Sequence, residues 1–282
     1  MTAKDWTGDD AARVLREPTA DDDKYSRGVV GLRTGSTRYP GAAVLGVEAA
    51  WRTGTGMVRY LGPQRAQDFV LQRRPETVTA DGRVQAWVIG SGTDAADRDA
   101  PETAALRGIL SGEVPVVVDA GALDLVPGAS TSCLVTPHAR ELTRLREALG
   151  LTARHAVGDD EREALARETA EAFGGVVLLK GAVTIVAAAG GATHRVRSGT
   201  PWLATAGTGD VLGGVVGAVL AGAVAAGDTD LDDLAACAAT GAWLHGVAGT
   251  RAARKYGDGG GPITALDIAG ELPGVVAATL RG

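Results

Sequence analysis

The chain has 282 residues, of which 45% are hydrophobic and only 4% aromatic, which predicts a large core built mainly from Ala, Val, Leu and Gly. The formal net charge of −6 argues against a broad nucleic-acid-binding surface, because phosphate backbones require basic patches. The only two cysteines, Cys133 and Cys237, stand among apolar residues and are expected to be core residues, without a disulfide or a metal.

The N-terminus carries Lys4 and Asp5 where a secretory signal needs an apolar stretch. Residues 211–226 form an uncharged, glycine-rich run of 16 residues, shorter than the ~20 residues that span a bilayer. We therefore expect a buried helix at 211–226 and a soluble, cytoplasmic protein without a membrane partner.

Residues 1–27 are predicted to be a polar lead-in to a single domain over 28–282. From Gly28 onward, short apolar runs alternate with helical patterns such as 40–52 and 159–173, which is typical of a mostly parallel sheet covered on both faces. The predicted strands are 28–32, 57–61, 84–89, 114–118, 133–135 and 176–179.

Residues 183–196, with Gly190-Gly191 at their centre, predict a β-hairpin at the sheet edge. The rest of the chain is predicted to be helical, with helices at 209–226, 231–255 and 265–280. Thr264 and Asp267 form a weak capping pair for the last helix, which Pro273-Gly274 is expected to break. The fold class is α/β, a three-layer α/β/α sandwich with an edge hairpin.

The segment from Ala204 to Gly214 suggests a phosphate site. Gly207, Thr208 and Gly209 stand at the predicted start of a buried helix, where unpaired N–H groups and a partial positive charge favour an anion. Asp210 adds a carboxylate whose simplest uses are general-base chemistry and Mg²⁺ binding. The alternative is an ordinary first-turn Asp after a glycine turn.

Other polar or glycine-rich segments follow predicted strands, where open α/β sheets bind ligands. They are 34–43 and 90–94, and neither a G-x-G-x-x-G nor a P-loop pattern occurs. Asp119 could contact a ligand hydroxyl or cap the helix after it. Lys180, before Gly181, could meet a phosphate or face solvent.

Thr136-Pro137 predicts a capped helix start. His138 and Glu141, three residues apart, are expected on one helical face, where they could bind a polar substrate, hold a metal-bound water, or be structural. His155, His194 and His245 show no spacing that suggests zinc.

Five segments together resemble the ribokinase-like superfamily and, within it, the ADP-dependent NAD(P)H-hydrate dehydratase family. They are 36–43 with 52–58, 118–123, 135–141, 179–184 and 203–214. The resemblance implies a ribokinase-like fold and a carbon–oxygen lyase that repairs hydrated NADH or NADPH at the expense of ADP. The implied chemistry is phosphorylation of the ring hydroxyl followed by elimination of phosphate.

The resemblance also implies roles for individual residues. Asp210 would take the hydroxyl proton and Glu141 would help to position Mg²⁺ through water. The residues that would contact ADP are Lys180, Gly181, Ala182, Val183, Thr184, Gly207, Thr208 and Gly209. Those facing the hydrated dinucleotide would be Ala42 (or Ala43), Gly92 (or Gly90), His138 and Asp210.

A homo-oligomer, such as a tetramer, is implied as well. Because few residues precede Gly28, a separate epimerase is expected to interconvert the two epimers of the hydrate. One rival interpretation is a small-molecule kinase of the same superfamily, acting on a vitamin precursor of the hydroxyethylthiazole or hydroxymethylpyrimidine type. Another is a nucleotide-binding regulatory protein without catalysis, against which the intact Asp210 argues.

Overall fold

The structure, a computed structural model, describes residues 3–282. In that range the strands are β1 (Lys4–Asp5), β2 (Val29–Arg33), β3 (Met57–Tyr60), β4 (Ala86–Ile89), β5 (Val116–Val118), β6 (Cys133–Val135), β7 (Val176–Leu179), β8 (Thr184–Ala188) and β9 (Thr193–Val196). The α-helices are α1 (Gly8–Val14), α2 (Pro40–Thr53), α3 (Gln64–Arg73), α4 (Ala100–Leu110), α5 (Ala139–Ala148), α6 (Asp159–Phe173), α7 (Thr208–Ala226), α8 (Leu231–Arg254) and α9 (Ala265–Thr279).

The strands form one sheet in the order β1-β9-β8-β7-β6-β5-β4-β2-β3. All neighbouring pairs are parallel except those made by β8, which is antiparallel to β7 and β9. The predicted hairpin is therefore confirmed as β8 and β9. Because β2 to β7 are parallel, their carboxyl ends lie at the same edge of the sheet.

Part of the predicted polar lead-in belongs to the fold. β1 pairs with β9 outside the hairpin, so β1 is the edge strand of the sheet. The ring of Trp6, directly after β1, packs edge-on against His194 on β9. A strand of two residues is too short to show an alternating pattern, which is why the sequence did not predict it.

Helices cover both faces of the sheet, and neighbouring strand residues point to opposite layers. Val88 and Val117 belong to the core shared with α2, α3, α7, α8 and α9. Ile89 and Val118 belong to the core shared with α4, α5 and α6. This period of two confirms the three-layer α/β/α sandwich.

Helix α7 is long and apolar enough, by length and composition alone, to cross a membrane, but 67% of the apolar 18-residue window within it is buried inside the fold. Its small residues allow very close packing: a Cβ added at Gly214 would lie 2.2 Å from the carbonyl oxygen of Gly46 on α2. The sequence prediction of a buried helix is thus confirmed.

The predicted break at Pro273-Gly274 is wrong, because α9 continues through both residues to Thr279. Proline removes one backbone hydrogen bond from the helix. Buried side chains on either side, Leu272 and Val275, keep the helix packed against the core. The predicted Thr264–Asp267 pair is present as a full capping box.

Candidate active site

Polar residues follow four adjacent parallel strands at the same edge of the sheet. Ser91 follows β4, Asp119 follows β5, Thr136 follows β6 and Lys180 follows β7. Their side chains meet at the carboxylate of Asp119. This carboxylate accepts hydrogen bonds from Ser91 Oγ at 2.9 Å, Thr136 Oγ1 at 2.8 Å and Lys180 Nζ at 2.9 Å.

Asp119 is buried and stands just before a 3₁₀ helix, Ala120–Gly128, but its side chain makes no capping hydrogen bond. The capping alternative for Asp119 is therefore wrong. The pairing of Asp119 with Lys180 does not follow from the sequence, because 61 residues separate the two. The available signal was that each residue ends a fully apolar run, and such runs are typical of buried parallel strands.

Lys180 does not face solvent freely, since its ammonium lies between two carboxylates. Its Nζ is 2.9 Å from Asp119 Oδ1 and 3.6 Å from Glu141 Oε2. Burial alone would lower the pKa of Lys180, but Asp119 and Glu141 outweigh it and raise the pKa above its usual value. The side chain is therefore charged at neutral pH.

The start of α7 lies next to this ammonium. A Cβ added at Gly209 would be 3.8 Å from Lys180 Nζ, and Gly207 occupies the left-handed region with a φ of 88°. No side chain caps the helix, and the first N–H groups of a helix lack intrahelical acceptors. The N–H groups of α7 and the ammonium together can hold an anion.

Asp210 stands in the first turn of α7 and is partly buried. This burial raises its pKa to about 6; the negative charge of Asp119 adds to the shift and Lys180 opposes it. A carboxyl group with such a pKa can accept a proton near neutral pH.

His138 and Glu141 do not lie on one helical face as expected, because His138 precedes α5 as its N-cap. The Glu141 N–H donates to His138 Nδ1 at 3.2 Å, and the His138 N–H donates to Glu141 Oε2 at 2.8 Å. The predicted Thr136 cap is also wrong, since that hydroxyl bonds Asp119 instead. The capping box leaves Glu141 beside Lys180 and His138 about half exposed.

The structure brings Gly92 and Ala42 together. Gly92 has a φ of +67°, and a Cβ added there would lie 2.3 Å from the Ala42 Cβ. Ala43 and Gly90 were predicted as alternatives to Ala42 and Gly92. Ala43 is fully buried, and Gly90 packs against the Asp119 carbonyl. A cavity of about 350 Å³ adjoins this contact and is lined by Gly35, Ser36, Thr37, Tyr39, Thr93 and Asp94, among others.

The remaining predicted residues lie at the same edge of the sheet. Gly181, Ala182 and Val183 form the turn between β7 and β8, and Thr184 begins β8. The Thr208 hydroxyl donates to the carbonyl of Leu203 at 3.0 Å. His245 has a role that its sequence spacing did not indicate. Its buried Nε2 lies 3.0 Å from the Thr208 carbonyl, and burial lowers its pKa to about 4, so a neutral ring supports the first turn of α7.

Among residues 3–282, no group of three or more His, Cys, Asp or Glu side chains could hold a metal ion by itself. Both oxygens of Asp119 already accept hydrogen bonds. The nearby carboxylates that could bind a metal ion are therefore those of Glu141 and Asp210. Mg²⁺ is commonly held by one or two carboxylates together with phosphate oxygens and waters. The donor set fits an ion of that kind, shared with a bound phosphate.

Comparison with known proteins shows the family to which the chain belongs. A family model described as NAD(P)H-hydrate dehydratase matches residues 30–271. The bifunctional NAD(P)H-hydrate repair enzyme Nnr of Mycobacterium leprae is 40% identical over 95% of this chain, which spans 55% of that relative. The ADP-dependent (S)-NAD(P)H-hydrate dehydratase of Neisseria meningitidis is 36% identical, with 95% of this chain and 86% of the relative covered.

Two solved structures share the fold over 99% of this chain. One is the ADP/ATP-dependent NAD(P)H-hydrate dehydratase of Bacillus subtilis, with a TM-score of 0.80, 24% identity and 99% of its own chain covered. The other is a ribokinase-like superfamily protein of Enterococcus faecalis, with a TM-score of 0.82, 21% identity and 97% of its own chain covered. The fold is thus ribokinase-like, and the chain belongs to the NAD(P)H-hydrate dehydratase family.

Proposed function

We propose that this chain uses ADP to dehydrate hydrated NADH or NADPH and so restores the intact dinucleotide. The observation that carries the proposal is the position of Asp210, a partly buried carboxylate with a raised pKa in the first turn of α7, beside the Lys180 ammonium. The names of the N. meningitidis relative and of a 32% identical Xanthomonas campestris relative, covered over 96% of both chains, support this activity.

In the proposed first step, the ring hydroxyl of the substrate attacks the terminal phosphorus of ADP. Asp210 accepts the hydroxyl proton, the new P–O bond forms, and the bond to the leaving AMP breaks. The N–H groups at the start of α7 and the Lys180 ammonium stabilise the charge of the transferred phosphoryl group. The hydroxyl must therefore lie within hydrogen-bonding reach of Asp210.

In the second step, the C–O bond to the new phosphate breaks with help from the lone pair of the ring nitrogen. The neighbouring ring carbon loses a proton, which restores the ring double bond. The balance is ADP plus hydrate giving AMP, phosphate and NAD(P)H. The Lys180 ammonium suits this elimination, because it stays beside the leaving phosphate as its positive partner.

We assign ADP to Lys180–Thr184 and Gly207–Gly209, and the hydrated dinucleotide to Ala42, Gly92 and His138. Glu141 would hold Mg²⁺ through water, and the bound ion would neutralise phosphate charge. The B. subtilis enzyme was co-crystallised with ATP and Mg²⁺, which supports a nucleotide with Mg²⁺ at this site.

The test is to incubate the purified chain with hydrated NADH and either ADP or ATP, and to follow the return of NADH absorbance. The proposal requires absorbance to return in a nucleotide-dependent manner with AMP formed from ADP. If no absorbance returned while hydroxyethylthiazole or hydroxymethylpyrimidine was phosphorylated, the vitamin-precursor kinase would replace it. Nucleotide binding without any turnover would instead favour a regulatory protein.

We also propose that residues 28–282 act as one catalytic domain, that the chain forms a homo-oligomer, and that it works in the cytoplasm. We also propose that an epimerase activity interconverts the two forms of the hydrate, which the bifunctional name of the M. leprae relative supports. Light scattering on the purified chain tests the assembly.

A further inference from the structure

Arg162 on α6 holds the turn between β7 and β8 from one side. Its Nη1 donates to the Val183 carbonyl at 2.8 Å and to Asp159 Oδ1 at 3.0 Å. Its Nη2 donates to the carbonyls of Lys180 at 3.3 Å and Leu179 at 3.4 Å. One guanidinium group therefore connects both ends of the turn to α6.

The guanidinium also lies directly against position 181. A Cβ added at Gly181 would lie 2.3 Å from Arg162 Nη2, too close for any real contact. The φ of Gly181 is not in the left-handed region, so its backbone conformation alone would accept alanine. An alanine at position 181 would therefore displace the guanidinium, the flexible end of the Arg162 side chain, from the turn.

The N–H groups of this turn remain available. Within residues 3–282, the backbone N–H groups of Gly181, Ala182 and Val183 have no protein acceptor. A turn whose carbonyls are bound and whose N–H groups are open can bind an anion, because successive N–H groups form a partly positive concavity. The Lys180 ammonium, at one end of the turn, adds a full positive charge.

We propose that Arg162 is a positioning residue, which fixes the Lys180–Val183 turn in the shape that binds the diphosphate of the nucleotide. This inference rests on the proposed function, since it assumes that ADP binds at this turn. Arg162 acts through the backbone of the turn and does not itself touch the reacting atoms. Its effect should therefore fall on nucleotide affinity rather than on the chemical step.

The matched control is Arg59 on β3, which is also partly buried. It donates to three loop carbonyls, those of Ala80, Asp81 and Arg83, at 2.8–3.2 Å. We expect Arg162→Met to raise the Kd for ADP, measured by calorimetry, by about tenfold, because a turn that is no longer held in its binding shape must be ordered when ADP binds. Arg162→Lys should recover part of the affinity, and Arg59→Met should leave it unchanged.

A double-mutant cycle separates positioning from a general loss of stability. Gly181→Ala should weaken ADP binding in the unaltered chain by displacing the guanidinium, but should add little when Arg162 is already Met. Equal affinities for ADP in the unaltered chain and Arg162→Met, additive effects of the two substitutions, or the same loss in Arg59→Met would each overturn the inference.

Because the readout is ADP binding, the result is independent of the catalytic test. If the chain bound ADP and the cycle was non-additive but no hydrate was dehydrated, the inference would stand and the proposed function would fail. If dehydration occurred and the Arg162→Met variant kept its Kd for ADP, the inference would fail alone.

Discussion

Lys180 Nζ lies 2.9 Å from Asp119 Oδ1, although β6 separates the two strands, β5 and β7, that these residues follow. Thr136, at the end of β6, donates to the same oxygen at 2.8 Å. The ends of three neighbouring strands are thus joined through one carboxylate. This arrangement holds a buried ammonium beside the first turn of α7, where an anion can be bound.

Replacing Asp119 with Asn should remove the charge that keeps Lys180 in place. The largely buried ammonium would then depend on its longer, 3.6 Å contact with Glu141, which costs about 3 kcal/mol of folding stability, and we expect turnover to fall about tenfold. The loss of a negative charge near Asp210 should also move the acidic limb of the kcat/KM profile to lower pH. Urea unfolding and the pH profile of the variant measure both effects.

Asp5→Asn is the matched control for this variant, because Asp5 pairs with Arg197 at the surface, where the two side chains are 66% and 48% exposed. A surface ion pair contributes at most about 1 kcal/mol, so this control should stay close to the unaltered chain. An Asp119→Asn variant with unchanged stability and an unchanged pH profile would contradict the role of the ion pair.

The pH dependence of turnover should report the ionisation of Asp210. A general base must be deprotonated, and burial together with Asp119 raises the pKa of Asp210 to about 6. We therefore expect kcat/KM to fall as the pH is lowered through about 6. A profile that stays level down to about pH 4 would show that the group limiting turnover ionises normally, and would exclude this role for Asp210.

Asp210→Asn should make the protein more stable at neutral pH. An unfolded Asp ionises near its ordinary value of 3.8, so a folded pKa of about 6 means that the folded state loses stability as pH rises between the two. With allowance for partial exposure, the stability lost at pH 7 is about 2 kcal/mol.

The gain from Asp210→Asn should disappear below about pH 4, where Asp210 is protonated in both states. Urea unfolding of both proteins at pH 7 and near pH 3.5 measures this difference. A variant that is less stable than the unaltered chain at pH 7 would show that the carboxylate is stabilised in the fold, contrary to its raised pKa.

Gly92→Ala should impair substrate binding by pushing the loop after β4 away from the first turn of α2. The new Cβ would lie 2.3 Å from the Ala42 Cβ, so we expect the KM for hydrated NADH to rise by about tenfold or more. Gly54→Ala is the control, because Gly54 also has a positive φ, +102°, but nothing lies within 4 Å of an added Cβ.

Both glycine variants should lose about 1–2 kcal/mol of stability to backbone strain, but only Gly92→Ala should change the KM. Steady-state kinetics with hydrated NADH at saturating ADP separates the two effects. If Gly54→Ala raised the KM as much as Gly92→Ala, strain rather than contact would explain the change.

The sequence predicted the fold well wherever a repeated pattern carried the information. The strands at 133–135 and 176–179 and the helix at 159–173 have the predicted bounds, because a polar residue or a glycine stands directly before and after each of them. Strand ends then placed Lys180 and Asp119 on one edge of the sheet, since parallel strands share their carboxyl edge.

The features that the sequence did not predict depend on distant contacts. The spacing of His138 and Glu141 suggested that both lie on one helical face, because the sequence does not show that α5 begins one residue after His138. The support that Arg162 gives to the turn after β7 joins elements whose proximity follows only from the sheet order. Pro273 remained in a helix because core packing outweighs one lost hydrogen bond.

The most direct measurement compares Asp210→Asn with the unaltered chain for both ADP binding and NADH recovery from the hydrate. Our account predicts that the variant binds ADP with a similar Kd, while NADH recovery falls by about a hundredfold or more, as expected when a general base is removed. NADH recovery at the original rate by the Asn variant would contradict the account.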